Sequence, residues 1–67
     1  MSRSQELHIL NARIEYETDK ALLIDYDDAE EPVWIPLSQV DKIVRVEPTP
    51  WATITMTAWI AKQKGII

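Results

Sequence analysis

The stretch of sequence that decides the fold lies near the N-terminus and reads Leu7-His8-Ile9-Leu10-Asn11-Ala12-Arg13-Ile14-Glu15-Tyr16-Glu17. Every second side chain from His8 to Tyr16 falls on one face, and this face is mostly apolar. The opposite face carries polar side chains at Asn11, Arg13, Glu15 and Glu17. Successive side chains of a β-strand point to opposite faces of the sheet. The period of two therefore predicts a half-buried strand over residues 7–17, with Tyr16 on the inner face.

Four further strands are expected at short apolar and β-branched segments separated by turn-forming residues. These segments are residues 21–26, 33–35, 42–47 and 53–56. The third is flanked by Pro32 and Pro36, neither of which can donate a hydrogen bond to a neighbouring strand, so we expect a very short or edge strand there. A turn or one loop of 3₁₀ helix is expected over 36–40, because proline fixes its φ angle at such a position.

A short helix is predicted over residues 58–64. Thr57 is suited to cap its N-terminus, and Gly65 is suited to end it. A helix of this length is not stable alone, so we expect it to dock on the sheet through Trp59 or Ile60. We also expect Trp34 and Trp59 to pack against each other at this junction.

These elements predict a mainly β protein: a small antiparallel five-stranded barrel or sandwich, SH3-like or OB-like, with a short C-terminal helix. An open sheet completed by a partner chain is the alternative. The 67 residues form a single domain, and we expect polar residues 1–5 to be disordered. A chain this short buries only about 60% of its unfolded surface, and with no cysteine to add disulfides we expect it to form a homo-oligomer.

Composition narrows the class of protein further. No apolar run reaches the roughly 18 to 20 residues that span a bilayer, and the polar N-terminus does not resemble a signal peptide, so we expect a cytoplasmic protein without a membrane partner. One histidine and no cysteine predict neither a structural metal site nor a cofactor. No nucleophile or acid–base constellation is recognisable, and His8 is interpreted as a rim residue, so we expect a protein that is not an enzyme.

The charges are distributed unevenly around a net charge of −4. Five acids fall within seven residues: Asp25, Asp27, Asp28, Glu30 and Glu31. From Lys42 onward, by contrast, four bases accompany the single acid Glu47. The acidic segment lacks the glycine of a calcium-binding loop, so it is interpreted as a solvated loop or as a charged patch that faces a protein partner.

Trp51 is the tryptophan most suited to an exposed position, because it follows Pro50 after a stiff turn. Exposed tryptophans anchor protein interfaces or stack on single-stranded bases. The first possibility predicts a partner-binding site formed by Asp27, Asp28, Glu30, Glu31 and Trp51. The alternative is an OB-like single-stranded nucleic-acid-binding site formed by Trp51, Lys42, Arg45, Lys62 and Lys64. The net charge disfavours nucleic acid as a partner.

Three short elements carry a resemblance to a known group of proteins. They are Lys20-Ala21-Leu22-Leu23, then Trp34-Ile35-Pro36-Leu37-Ser38-Gln39, and the ending Trp59-Ile60-Ala61-Lys62-Gln63-Lys64-Gly65. With these elements, residues 14–67 resemble small, mostly uncharacterised phage and prophage proteins that share a Trp-Ile-Pro-x-Ser-Gln element and a C-terminal Trp-x-Ala-x-Lys-x-Gly helix. Residues 41–53 depart from the pattern. The resemblance implies a small β-rich domain of phage type and no particular activity.

Together these observations predict a phage- or prophage-type accessory protein that binds a host or phage protein without catalysis. Its working surface would be the acidic segment, with Trp51 as an anchor.

Overall fold

The computed structural model describes residues 6–67 and shows a mainly β fold. The elements are β1 (Leu7–Glu17), β2 (Ala21–Asp25), β3 (Val33–Pro36), a 3₁₀ helix (Leu37–Gln39), β4 (Val40–Arg45), β5 (Trp51–Thr57) and α1 (Ala58–Gln63). The strands form one antiparallel sheet in the order β3-β2-β1-β5-β4. The predicted class, five antiparallel strands with a short C-terminal helix, is confirmed. The N-terminal residues 1–5, expected to be disordered, lie outside the described part of the chain.

The bounds of four strands differ from those predicted: β2 and β3 by one residue each, and β4 and β5 by more. β5 begins at Trp51, two residues before the β-branched segment, and β4 begins at Val40, directly after the 3₁₀ helix. β3 is an edge strand, as its flanking prolines indicate. Trp51 is therefore part of the sheet itself, where strand pairing fixes its backbone.

One face of the sheet carries the hydrophobic core. The alternating burial of β2 and β5 buries every second residue of each strand. The buried cluster consists of Ala12, Leu22, Ile24, Ile35, Ala52, Ile54, Met56, Ile60 and Ala61. All of these are apolar, and no polar side chain of residues 6–67 is buried. Charged and hydroxyl groups consequently lie on the outer face or at the rim.

The sheet cannot be flat, because its two edge strands are joined by a very short link. β3 and β4 lie at opposite edges of five strands, which in a flat sheet would place them about 19 Å apart at about 4.8 Å per spacing. The link is the 3₁₀ helix Leu37–Gln39, and the four steps from Pro36 to Val40 cover only about 8 Å at about 2 Å per residue. The 3₁₀ helix is held against the β1–β2 turn by the Leu37 N–H, which donates to the Lys20 carbonyl at 2.7 Å.

A β-bulge in β1 changes the face on which Tyr16 lies. Ile14 pairs with Ile24, but Tyr16 pairs with Leu23, so the register shifts by one residue between them. An extra residue in one strand of an antiparallel pair reverses the facing of the residues beyond it. The predicted inner position of Tyr16 is therefore wrong: its side chain lies on the outer face and is 61% exposed.

The C-terminal helix docks through Ile60 and Ala61, which are buried. The predicted contact between Trp34 and Trp59 is wrong. Trp34 packs on Tyr16 on the outer face, with ring centroids 6.2 Å apart, and Trp59 is 58% exposed. A six-residue helix presents few residues to the sheet. In α1 these are the branched side chain of Ile60 and the small side chain of Ala61. No helix within residues 6–67 is long and apolar enough to cross a bilayer.

We predict that the Thr57 hydroxyl stabilises the junction of β5 and α1. Its oxygen accepts from the Ile60 N–H at 3.2 Å, and its proton is donated to Gln39 Oε1 at 2.8 Å. Thr57→Val should lower the free energy of unfolding by about 1 kcal/mol, as expected for loss of an N-cap. Thr57→Ser keeps the hydroxyl and should lose much less. Urea unfolding measures both, and equal losses would contradict the capping role.

Candidate functional site

Trp51 opens β5 and places its indole on the outer face of the sheet. It lies directly opposite Arg13 of β1, and on its other side its carbonyl accepts from the Val46 N–H at 3.0 Å. Arg13 in turn lies opposite Asp25 of β2. One row across the sheet is thus formed by residues from four neighbouring backbone segments, in the order Asp25, Arg13, Trp51 and Val46. The indole remains exposed, with 42% of Trp51 accessible to solvent.

An open cleft of about 300 Å³ lies beside this indole. We call it the Trp51 cleft. Its lining residues are Arg13, Asp25, Tyr26, Asp27, Ala29 and Trp51. One wall is a tight turn in which the Ala29 N–H donates to the Tyr26 carbonyl at 2.9 Å. This turn places Asp27 and Asp28 at its corner, where both are exposed. The beginning of the acidic segment therefore lies near Trp51, because β1 pairs with β2 on one side and with β5 on the other.

The Trp51 cleft is electrostatically negative. The one base in its lining, Arg13, already pairs with Glu15 at 2.7 Å and approaches Asp25 at 3.9 Å. Asp27 forms no ion pair with any residue in the range 6–67. The cleft therefore presents an uncompensated carboxylate beside a half-exposed aromatic ring.

The predicted partner-binding residues are partly brought together. Trp51 and Asp27 share the cleft, while Asp28, Glu30 and Glu31 are exposed farther along the same loop. Sequence reasoning missed Arg13 and Tyr26 as lining residues. The period of β1 places Arg13 outward, but its position beside Trp51 depends on the pairing of β1 with β5, which no local pattern reveals.

The predicted nucleic-acid-binding residues do not form one continuous basic surface. Lys42 lies opposite Thr55, three strand positions from the pair that Arg45 forms with Ala52. Arg45 is committed to a bidentate ion pair, and Lys62 and Lys64 lie at the C-terminal helix. Trp51 is thus flanked by carboxylates, and the four bases lie elsewhere or are neutralised.

A second cleft of about 260 Å³ lies on the other side of Trp51, where Arg45 meets Glu17. The Arg45 Nη1 and Nη2 groups donate to the two Glu17 carboxylate oxygens at 2.9 and 3.0 Å. These hydrogen bonds lower the pKa of Glu17 below its ordinary value of 4.5 and raise the pKa of Arg45. The pair joins the end of β1 to the end of β4, so it ties together strands that have β5 between them.

Tyr16 and Trp34 form a second exposed aromatic group that the sequence pattern did not reveal. Their rings meet edge to face at an interplanar angle of 90°, with Leu23 of β2 between the two strands that carry them. The group exists because the bulge in β1 turns Tyr16 outward. Neither side chain takes part in an ion pair within residues 6–67, so the two rings offer an aromatic contact area rather than an ionic one.

Across residues 6–67, no three His, Asp or Glu side chains are grouped so that they could hold a metal ion. His8 is half-buried near the beginning of β1, opposite Met56, in the rim position that the sequence indicates.

Comparison with known proteins identifies no relative of this chain. No family model matches it, and neither a curated protein nor a solved structure is significantly similar to it. Inference of function therefore rests on the Trp51 cleft and its surroundings.

We predict that the Glu17–Arg45 pair makes stability depend on pH in the acid range. Because the folded pKa of Glu17 is lowered, its contribution is fully present above its unfolded pKa, near 4.5, and is lost as pH falls through the folded pKa. Glu17→Gln should cost less than about 1 kcal/mol at pH 7, because both side chains are over 40% exposed. The difference between the two proteins should disappear in urea unfolding as pH falls below 4.5 and through the lowered folded pKa of Glu17; a constant difference would contradict the assignment.

Proposed function

We propose that this chain is a phage- or prophage-type accessory protein that acts without catalysis, by binding another protein at the Trp51 cleft. The observation that carries the proposal is the exposed indole of Trp51 beside Asp27, whose carboxylate is unpaired among residues 6–67. Large aromatic side chains are the commonest anchors of protein interfaces when they border a pocket. The phage-type setting, and with it the host cytoplasm, rests on the resemblance carried by Trp34 to Gln39.

The charges around the cleft indicate the chemistry of the partner. Asp27 and Asp28, with Glu30 and Glu31, are exposed or near the surface and form no ion pair within residues 6–67. A cationic side chain that enters the cleft can lie on the face of the Trp51 indole while its charge faces Asp27, so cation–π and Coulomb attraction act together. We therefore propose that the partner contributes a basic segment rich in arginine or lysine.

We also propose that the curled sheet acts as a small SH3-like or OB-like barrel. Three contacts support closure: the short 3₁₀ link, the Thr57–Gln39 hydrogen bond at one end, and the Glu17–Arg45 pair at the other. Such a barrel gives the outer row from Asp25 to Trp51 a rigid backbone. A rigid frame lowers the entropy lost on binding and suits a module that works by recognition.

The first test compares two exposed tryptophans. Trp51→Ala should weaken binding of an arginine-rich peptide at low salt by at least about tenfold, since it removes the anchor. Trp59→Ala, the matched control beyond the other end of β5, should bind like the parent protein. Isothermal titration calorimetry measures the affinities. Equal binding by the two variants, or equal binding of a glutamate-rich peptide, would refute the proposal.

The second test distinguishes an effect of the acidic loop on binding from an effect of the overall net charge. Asp27→Asn with Asp28→Asn should weaken binding of the same peptide by roughly threefold to tenfold, because the charges face the site. Asp19→Asn with Asp41→Asn removes two exposed charges elsewhere and should have little effect. The circular dichroism spectra should remain unchanged. Equal losses in both pairs would show that only the overall charge matters.

A titration with labelled single-stranded DNA tests the nucleic-acid alternative. The proposal expects no measurable binding at low salt. Binding that falls with salt and is lost in Trp51→Ala would overturn it in favour of base stacking and phosphate contacts.

A further inference from the structure

The outer face of the sheet carries an uncharged strip along β1 and β5. Ile9 lies opposite Thr55, and Asn11 lies opposite Thr53, so these side chains share one face. That face is the outer one, because the alternate residues of β5 belong to the core. The outward residues, which we call the Ile9–Thr55 strip, are Leu7, Ile9, Asn11, Thr53, Thr55 and Thr57. The strip contains no ionisable side chain, although the net charge of the chain is −4.

Aliphatic side chains are exposed on and beside this strip. Leu7 and Ile9 are each at least 50% exposed. Val44 of β4 lies opposite Thr53 and is exposed to a similar extent, so it extends the apolar surface. Single exposed apolar residues are usual on proteins, but a contiguous set that includes threonine methyl groups indicates a contact surface.

Two of the three threonine hydroxyls of the strip already have partners within the chain. The Thr53 hydroxyl donates to Asn11 Oδ1 at 2.9 Å, and the Thr57 hydroxyl donates to Gln39 Oε1 at 2.8 Å. Covering a polar group costs free energy when the group loses water and gains no partner. These two hydroxyls keep their partners when the strip is covered, so the cost of covering it is small.

The strip is complementary in shape to itself. Leu7 and Ile9 form a ridge along β1, and the smaller threonine side chains form a lower row along β5. A two-fold axis can run parallel to these strands and between them. About that axis the ridge of each copy lies over the threonine row of the other, which is the isologous contact that a symmetric dimer requires. The strands of the two sheets then remain nearly aligned, as in face-to-face sheet packing.

We propose that a second copy of this chain covers the Ile9–Thr55 strip, with Ile9 of each copy over Thr55 of the other. Charge favours this occupant, because an uncharged strip offers no attraction to a charged partner and matches an identical uncharged strip. The acids of residues 25–31 lie at the end of β2 and in the loop after it, outside the strip. Two negatively charged chains can therefore meet here without placing their acidic segments face to face.

This contact is compatible with the closed barrel and with the Trp51 cleft. It uses outward side chains and no backbone group of an edge strand, so closure of the sheet does not affect it. Trp51 lies four residues from Thr55 along β5, which is about 13 Å at about 3.3 Å per residue. The Trp51 cleft extends from there toward β2, away from the centre of the contact.

The contact is narrow, and the dimer is correspondingly weak. The outer faces of two curled sheets meet along a strip about two strands wide, and the strip spans only the five residues from Thr53 to Thr57 along β5. Fewer than about 1,200 Å² are buried in such a contact, which is the range of weak and transient complexes. We therefore expect association between micromolar and millimolar concentration.

Analytical ultracentrifugation over this concentration range tests the proposal. The parent protein should show a concentration-dependent dimer. Ile9→Glu should weaken dimerisation at least about tenfold, because it covers a charge without a partner in both halves of the contact. Ile67→Glu, the matched control, makes the same change at an exposed isoleucine outside the strip and should dimerise like the parent. Circular dichroism confirms that each variant is folded.

Mixing two variants tests the register. Thr55→Lys alone should also weaken dimerisation at least about tenfold, for the same reason as Ile9→Glu. In an equimolar mixture of Ile9→Glu with Thr55→Lys, the introduced carboxylate of one chain lies over the introduced ammonium of the other, so association should return. Both variants keep a negative net charge, so overall attraction does not explain such a result. A mixture that associates no better than either variant alone would overturn the register.

Methyl NMR locates the contact in the unmodified protein. The methyl resonances of Ile9 and Thr55 should shift as concentration rises, whereas those of Ile67 should not. A monomer of 7.8 kDa up to millimolar concentration would overturn the proposal. So would a dimer whose Ile9 and Thr55 resonances do not shift, or a folded Ile9→Glu variant that dimerises like the parent.

Discussion

The short connection between β3 and β4 is the constraint on which the rest of this structure depends. Those strands are the two edges of a five-stranded sheet, yet only the 3₁₀ helix Leu37–Gln39 separates them along the chain. A flat sheet cannot satisfy that connection, so the sheet must curl, although no strand pairing joins β3 to β4. Curling brings the apolar faces of five short strands around one small core. It therefore allows a chain of 67 residues, which has no cysteine for disulfides, to bury a fully apolar cluster.

The same curl determines what the outer face can do. Because the inner face takes the small and branched apolar residues, the largest aromatic side chains remain outside: Trp34, Trp51 and Trp59 are all at least 42% exposed. Exposed aromatic rings contribute little to the stability of the core, so they are free to serve as contacts. Of the three, Trp51 has a fixed backbone, a bordering cleft and a carboxylate beside it that no base of residues 6–67 neutralises. Trp34 is covered along one edge by Tyr16, and Trp59 lies on a helix of six residues.

The sequence alone predicted those features of the fold that depend on neighbouring residues in the chain. The alternation from Leu7 to Glu17 predicted β1, the flanking prolines predicted that β3 is an edge, and Thr57 with Gly65 bounded the helix. Local patterns failed where the determinant was a distant pairing. The bulge before Tyr16 depends on how β1 meets β2, and the early beginning of β5 at Trp51 depends on pairing with Arg13. The Trp51 cleft could be predicted only in part for the same reason: Trp51 and Asp27 were both predicted, but the β1 residue between them was not.

The arrangement of strands explains why the acidic loop and Trp51 can act together although they are far apart in the sequence. β1 is long enough to pair with β2 along its second half and with β5 along its first, and Arg13 belongs to both pairings. Arg13 therefore lies between an acid of β2 and the indole of β5, and its ion pair with Glu15 keeps its charge from neutralising Asp27. A substitution at Arg13 would change the charge and the shape of the cleft together. Substitutions at Trp51 or Asp27 separate the two contributions, because each removes one of them and leaves the strand pairing intact.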